Sequence, residues 1–140
     1  MKEVALKKGV EMNINISNDI VVYADINMAK TITRNLISNA LKFTPNGGKI
    51  SISAKNTENN SVEIAVKDTG IGMNQTLLDN LFRIDVQSNR KGTENEPSSG
   101  LGLLLCKDFV EKNGGEIWVE SEENKGSVFY FTIPKKQLKI

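Results

Sequence analysis

The chain of 140 residues contains no histidine and a single cysteine, Cys106. Without an imidazole it cannot form a Ser-His-Asp or Cys-His nucleophilic system or a histidine-ligated zinc site. One cysteine also excludes an internal disulfide and a multi-cysteine metal cluster, and Cys106 is expected to be a small buried side chain. Any chemistry that this chain performs must therefore use carboxylates, amides, amines, backbone groups or a bound cofactor.

Long apolar runs and an excess of one charge are missing as well. No apolar run approaches the roughly 18 residues of a membrane-spanning helix, and the N-terminus lacks the apolar segment of a secretory signal. The net charge of +1 gives no reason to expect nucleic acid or a membrane surface as a partner. Together with the lone cysteine, these features favour one cytoplasmic domain over residues 1–140.

Apolar periodicity predicts the secondary structure. Period-two alternation predicts six strands, at residues 10–16, 20–23, 50–55, 62–67, 116–121 and 127–134. Helical spacing predicts three helices: one from the N-cap Asp25 to before Pro45, one over 75–82, and one from Leu101 to Gly114. Residues 83–99 show no periodicity, and such long stretches in compact domains are usually lids, binding loops or disordered segments.

The order of these elements predicts the fold class. Strands come as neighbouring pairs with helices between them, which is typical of an α+β, two-layer α/β sandwich. We expect a mixed, mostly antiparallel sheet that is covered on one face by about three helices. The sequence shows neither an internal repeat nor a domain boundary.

The first candidate constellation lies on the long helix. Asn35, Asn39 and Lys42 occur at i, i+4 and i+7 and so share one stripe. Asparagine is a poor helix former, so two in mid-helix call for a reason. The stripe is either a solvated polar face or a site in which amide oxygen ligates a hard cation and the ammonium meets phosphate.

Two glycine-rich segments form the second and third constellations. Asp68-Thr-Gly70-Ile-Gly72-Met follows a predicted strand, and it is either a plain tight turn or a loop whose backbone approaches a ligand beside a carboxylate acceptor. Ser98-Ser-Gly100-Leu-Gly102 opens the last helix. It is either a simple N-cap or a phosphate-binding helix N-terminus.

The order of these motifs resembles the catalytic and ATP-binding domain of two-component sensor histidine kinases. That family shares a Bergerat-type fold with the ATPase domains of type II topoisomerases, heat-shock chaperones and mismatch-repair proteins. The matching segments, in the family's order, are an N box at residues 35–44, a glycine box at 68–73, an abbreviated F box at 81–83 and a second glycine box at 99–103.

The resemblance implies roles for individual residues in binding ATP. Asn39 is expected to ligate a Mg²⁺ ion that bridges the phosphates, with Asn35 assisting from the preceding turn. Lys42 is expected to contact phosphate. Phosphoryl transfer depends mostly on positioning and charge neutralisation, which these groups supply.

Adenine recognition is expected from the first glycine box. Asp68 is expected to accept a hydrogen bond from the adenine amino group, while Gly70 and Gly72 allow close approach. Phe43 is expected to pack near the adenine or ribose.

The lid and the start of the last helix are expected to enclose the phosphates. Arg83, Arg90 and Lys91 are the basic candidates for lid contacts, and the sequence does not distinguish among them. The helix start contributes Gly100, Leu101 and Gly102.

The residue at position 35 separates two activities within the superfamily. Hydrolytic members carry a glutamate there to activate water, and an asparagine cannot act as a general base. The resemblance therefore implies a kinase that donates phosphoryl to a histidine on a separate dimerisation domain, with a response regulator later in the pathway. The alternatives are an ATPase or conformational clamp, a protein-binding module with a vestigial nucleotide site, and a serine kinase.

Overall fold

The computed structural model of the protein describes residues 2–16, 24–82 and 101–135. These residues form four helices and five strands. In chain order they are α1 (Lys2–Lys8), β1 (Glu11–Asn15), α2 (Ile26–Phe43), β2 (Lys49–Asn56), β3 (Ser61–Asp68), α3 (Gln75–Asn80), α4 (Leu101–Lys112), β4 (Ile117–Glu122) and β5 (Gly126–Pro134). The strand predicted at 20–23 lies outside the described residues.

The five strands form one sheet in the order β1-β2-β3-β5-β4. β1 pairs with β2 in parallel, and the other three pairings are antiparallel. The long central pairing of β3 with β5 runs from Ser61 opposite Pro134 to Asp68 opposite Ser127. The mixed, mostly antiparallel sheet of a two-layer sandwich is therefore confirmed.

The core lies between the helices and one face of the sheet. Ile50 and Ile52 of β2 point into it, whereas Ser51 and Ser53 of the same strand are exposed. Helix α2 contributes a continuous buried stripe: Ile32, Leu36, Ile37, Ala40, Leu41 and Phe43. Burying such side chains is the main source of stability for a domain of this size.

The helix α2 begins and ends at the residues that the sequence predicts. The Asp25 carboxylate accepts a hydrogen bond of 3.0 Å from the Met28 backbone N–H, an N-cap interaction. The helix ends at Phe43, and Pro45 follows the C-cap residue Thr44. Within the described ranges, α2 included, no helix is both long enough and apolar enough to cross a membrane.

Helix α1 was not predicted from the sequence. Its apolar residues Val4, Ala5 and Leu6 are consecutive, so they show no helical period. Only Ala5 is buried in the core, while Val4 and Leu6 are exposed. The helix is fixed by its position against the core and by its last residue, Lys8, which is buried.

The alternation in β1 predicts one dry face, and only the start of the strand has it. Val10 is buried and Met12 packs against the core, but Ile14 and Ile16 are 53% and 42% exposed. The strand lies at one edge of the sheet, and burial along it ends after Met12. Period-two alternation therefore identifies the strand correctly and overstates how much of it is covered.

Candidate functional site

The polar stripe of α2 is less exposed than a solvated helix face. Asn35, Asn39 and Lys42 are each half-buried, whereas Lys30 and Arg34 on the same helix are exposed. A face that serves only for solvation is normally exposed. The burial favours the interpretation that these three side chains line a site.

Asn35 connects α2 to the first turn of α4. Its Nδ2 donates a long hydrogen bond of 3.5 Å to the carbonyl oxygen of Gly102. A Cβ atom at Gly102 would lie 3.7 Å from Cγ of Asn35, an ordinary van der Waals distance. Packing in the described residues therefore does not require glycine at 102. The expected contact of Gly102 with phosphate stays a prediction.

Cys106 takes part in the same contact between α2 and α4. It is fully buried, and its Sγ lies 3.7 Å from the Ile32 carbonyl oxygen, which accepts the thiol proton. Burial raises the pKa of Cys106 to about 11, and a hydrogen bond with Asn35 acts in the opposite direction. The thiol is therefore protonated at neutral pH, and the predicted role as a small buried side chain is confirmed.

The raised pKa of Cys106 predicts a loss of stability in alkali. The folded-state pKa of about 11 exceeds the ordinary value of 9.0, so the folded form binds the proton more tightly. This contribution is complete below pH 9.0 and is lost as the pH rises towards 11. From pH ~8 to ~10.5, urea titrations should show the wild type losing about 2 kcal/mol more than Cys106→Ala.

Cys106→Ala is the reference, because it contains every other titrating group of the wild type. The difference between the two alkaline losses therefore reports the thiol alone. Its own free energy of unfolding is expected to be lower at each pH, since a small cavity replaces the sulfur. Equal alkaline losses in the two proteins would show that the thiol is not desolvated in the folded state.

The loop after β3 packs against the C-terminal end of α2. The Ile71 backbone N–H donates a hydrogen bond of 3.0 Å to the carbonyl oxygen of Phe43. A Cβ atom at Gly70 would overlap that same oxygen, so glycine is needed there for the close approach. Phe43 itself is buried. The structure thus brings the C-terminal end of the N-box helix, next to Lys42, and the first glycine box together.

Asp68 is a buried carboxylate at the end of β3. It is 5% exposed, and its Oδ1 accepts hydrogen bonds from the backbone N–H groups of Gly70, at 2.9 Å, and Ser127, at 3.3 Å. A buried carboxylate is costly unless it is hydrogen-bonded, and these donors also fix its orientation. Its expected hydrogen bond to an adenine amino group stays a prediction.

Gly72 is required by the protein's own packing. Its φ is +66°, and a Cβ atom would overlap the carbonyl oxygen of Glu122 at the turn between β4 and β5. The Asn124 N–H of that turn donates a hydrogen bond of 2.7 Å to the Ile71 carbonyl. The turn thus supports the glycine loop from the side opposite to α2. The sequence leaves open a tight turn or approach by a ligand as the reason for this glycine. The positive φ and the contact with Glu122 fit the first, and ligand approach stays a prediction.

Two serines that sequence reasoning missed also hold the loop. Ser121 Oγ accepts a hydrogen bond of 2.9 Å from the Met73 N–H and lies 2.7 Å from Ser127 Oγ. Through its backbone, Ser127 also donates to Asp68. Neither serine lies in one of the four boxes, because their role depends on contacts between segments that are distant in the sequence.

The predicted lid lies outside the residues that the structure describes. Arg83, Arg90, Lys91, Gly100 and the stretch 83–99 lie outside the described residues. Leu101 is the first residue of α4. The geometry of the candidate site therefore rests on α2, the loop after β3 and the start of α4.

Comparison with known proteins agrees with this arrangement. The family described as "Histidine kinase-, DNA gyrase B-, and HSP90-like ATPase" matches residues 24–137. The adaptive-response sensory kinase SasA of Rippkaea orientalis is 33% identical over 134 residues, covering 95% of this chain and 34% of the relative. The chain thus spans little more than a third of the length of this curated relative.

Solved structures show the same fold. The nucleotide-free catalytic domain of histidine kinase ThkA superposes with a TM-score of 0.80 at 31% identity, covering 96% of this chain and 84% of that one. ThkA in complex with the response regulator protein TrrA gives a TM-score of 0.75 at 28% identity, over 96% of this chain and 37% of that one. The chain belongs to the histidine kinase-, DNA gyrase B- and HSP90-like ATPase family, and within it to the catalytic domains of histidine kinases.

Proposed function

We propose that this domain binds ATP with Mg²⁺ and donates the γ-phosphoryl group to a histidine on a separate phosphoacceptor domain. The nucleotide lies between α2, the loop after β3 and the start of α4. Transfer forms a bond from phosphorus to a ring nitrogen of the histidine and breaks the bond to the bridging oxygen of ATP, so that ADP leaves. The chain has no histidine of its own, so the acceptor must belong to another segment or chain.

The observation that carries this proposal is the convergence of three sequence motifs on one helix. Asn35 contacts the backbone of Gly102, and the Phe43 carbonyl accepts from Ile71. Asn35 and Gly102 are 67 residues apart in the sequence, so the contact depends on the fold. A nucleotide bound along α2 would therefore meet an amide stripe, a buried carboxylate and a helix N-terminus at once.

The donor set of α2 fits Mg²⁺. This ion prefers oxygen ligands and is usually held by one or two side chains together with the phosphates of its substrate, rather than by a full protein cage. In residues 2–16, 24–82 and 101–135 there is no group of three or more His, Cys, Asp or Glu placed to hold a metal. Asn39, assisted by Asn35, would supply amide oxygens, and the ion would neutralise charge on the phosphates.

The remaining roles follow from charge and position. Lys42, at the end of the amide stripe, places an ammonium where phosphate is expected. Asp68, fixed by two backbone donors, offers a carboxylate to the adenine amino group. Asn35 has no basic group with which to activate water, which favours transfer to a protein acceptor over hydrolysis.

A response regulator is the expected partner of the phosphorylated acceptor. ThkA was solved in complex with a response regulator, and SasA is named as a sensory kinase. The same class of pathway is proposed for this chain, with the phosphoryl group passing from the acceptor histidine to the regulator.

Calorimetry and a transfer assay test the proposal. The wild-type domain should bind ATP in the presence of Mg²⁺ and bind it more weakly when a chelator removes the ion. With γ-labelled ATP and a helical phosphoacceptor domain supplied separately, the label should appear on that domain alone. The labelled product should be acid-labile, as phosphohistidine is.

A phosphoacceptor domain whose histidine has been replaced is the matched control, and it should stay unlabelled. An acid-stable product would indicate a serine kinase. Rapid release of inorganic phosphate by the isolated domain would indicate an ATPase. Absence of any nucleotide binding would leave only a protein-binding module.

A further inference from the structure

Lys8, the last residue of α1, places its ammonium group against the C-terminal end of α2, the proposed nucleotide-binding helix. Lys8 is only 8% exposed. Its Nζ donates hydrogen bonds of 2.7 Å to the Leu41 carbonyl oxygen and 3.1 Å to the Lys42 carbonyl oxygen. Burying an ammonium is costly unless it is well hydrogen-bonded, so this placement has a specific set of partners.

The final turn of α2 has four carbonyl groups without partners inside the helix. In the structure each of these four carbonyls accepts a hydrogen bond from outside the helix backbone. The Ala40 oxygen accepts from the Thr44 hydroxyl at 2.7 Å, and the Phe43 oxygen accepts from the Ile71 N–H. Lys8 serves the two between them. A cation is also favoured at this end of a helix by the alignment of its peptide dipoles.

The connection after α1 is tied to the same place. The Gly47 N–H donates a hydrogen bond of 2.9 Å to the Gly9 carbonyl, and the Glu11 N–H donates one of 3.0 Å to the Gly48 carbonyl. A Cβ atom at Gly9 would overlap the Asn46 side chain. The N-terminal segment therefore clamps the α2–β2 connection by backbone contacts and by the Lys8 ammonium.

We propose that Lys8 is a positioning residue for the phosphate and metal half of the nucleotide site. The inference rests on the proposed function. Lys8 fixes the last turn of α2, which carries Lys42 and follows Asn39 by less than one turn. The glycine loop beside Asp68 is also held from the β4–β5 side, through Asn124 and Ser121, so adenine binding depends less on this turn than phosphate binding does. Loss of the two hydrogen bonds lets this turn fray, and small displacements of charged groups have large effects on phosphate binding.

Lys8→Met tests the inference, because methionine keeps an unbranched apolar stem and removes the donors. The affinity for Mg²⁺-bound ATP is expected to fall about tenfold, while the affinity for adenosine changes by less than about twofold. Lys7→Met is the matched control, since Lys7 is exposed on the same helix. It should leave both dissociation constants unchanged.

The ratio of the two affinities separates positioning from stability. A purely structural role would lower the melting temperature and leave the ratio at its wild-type value well below melting. Such a result, or an equal loss of adenosine and ATP binding, would overturn the inference. If the wild type bound neither ligand, the proposed function itself would fail.

Lys8→Gln covers the case in which Lys8→Met does not fold. Its neutral amide can donate to one of the two carbonyls, so a loss of several-fold in affinity for Mg²⁺-bound ATP is expected, with adenosine binding retained. An unchanged ratio in this variant would overturn the inference. Failure of both variants to fold would overturn it as well, because Lys8 would then support the whole domain.

Discussion

Replacing Asp68 with alanine is expected to lower the affinity for ATP about 100-fold. A hydrogen bond to a charged acceptor in a buried site contributes roughly 1.5–3 kcal/mol, which corresponds to about 10–150-fold in binding. The same change removes the acceptor of the Gly70 and Ser127 N–H groups, so the free energy of unfolding should also fall by about 2 kcal/mol. Calorimetry and urea titration measure the two effects.

Asp68→Asn separates recognition from stability. Its amide oxygen can keep the hydrogen bonds from Gly70 and Ser127, which directs the NH₂ group to the position of the other carboxylate oxygen. A donor would then face the amino group of adenine. This variant should therefore retain most of the wild-type stability and still lose most of its affinity for ATP.

Inosine triphosphate makes the test specific for the base, because its base has a carbonyl where adenine has the amino group. The wild type should prefer ATP over inosine triphosphate, and Asp68→Asn should reduce or reverse that preference. Asp108→Asn is the control: Asp108 is exposed on α4 and pairs with Lys112 at 3.1 Å, a surface ion pair of little energetic value. Wild-type affinity in the Asp68 variants would show that adenine is recognised elsewhere.

Local patterns in the sequence were enough to predict most elements of the fold. The limits of α2 follow from a capping carboxylate at Asp25 and a proline at position 45, both of which act within a few residues. The strands follow from alternation, because one face of the sheet is buried and the other is exposed. These signals are short-range, and so they can be read from a single sequence.

The missing parts of the prediction depend on contacts between distant segments. Lys7 and Lys8 are adjacent and chemically identical, yet only Lys8 reaches the end of α2, 33 residues away. No local pattern distinguishes them, because the difference is created by how α1 packs. The same holds for Ser121, which supports Met73 from 48 residues away.

The glycines show most clearly how a correct motif can be given an incomplete reason. The motif 68–73 predicts a tight turn or a loop near a ligand, and the structure places that loop against α2. It also shows that Gly70 and Gly72 are needed by neighbouring backbone, at Phe43 and Glu122 respectively. A requirement for glycine at these two positions therefore exists before any nucleotide is considered.

Gly72→Ala is accordingly expected to destabilise the domain by about 3 kcal/mol or more, apart from any effect on binding. A left-handed φ costs an alanine about 1 kcal/mol, and forcing a side chain into a packed contact costs about 1–3 kcal/mol. Gly72 combines a φ of +66° with overlap at the Glu122 carbonyl. A domain of this kind has a total stability of only about 5–15 kcal/mol, so the loss is a large share.

Two other glycines isolate the two components. Gly47 has a φ of +89°, and a Cβ atom at this position would have nothing within 4 Å, so Gly47→Ala should cost only about 1 kcal/mol. Gly70 lies outside the left-handed region and would overlap the Phe43 carbonyl, so Gly70→Ala should cost about 2 kcal/mol. Urea titration at one temperature compares all three variants with the wild type.

The order of the three losses decides why the glycine box contains glycine. If Gly72→Ala is the most destabilising and Gly47→Ala the least, backbone packing against α2 and the β4–β5 turn fixes the residue type at 70 and 72. If Gly72→Ala costs no more than Gly47→Ala, the loop can move away from Glu122 and the packing argument fails. In that case a selective loss of ATP binding in Gly72→Ala, with stability nearly unchanged, would indicate that close approach of the nucleotide explains the glycine at position 72.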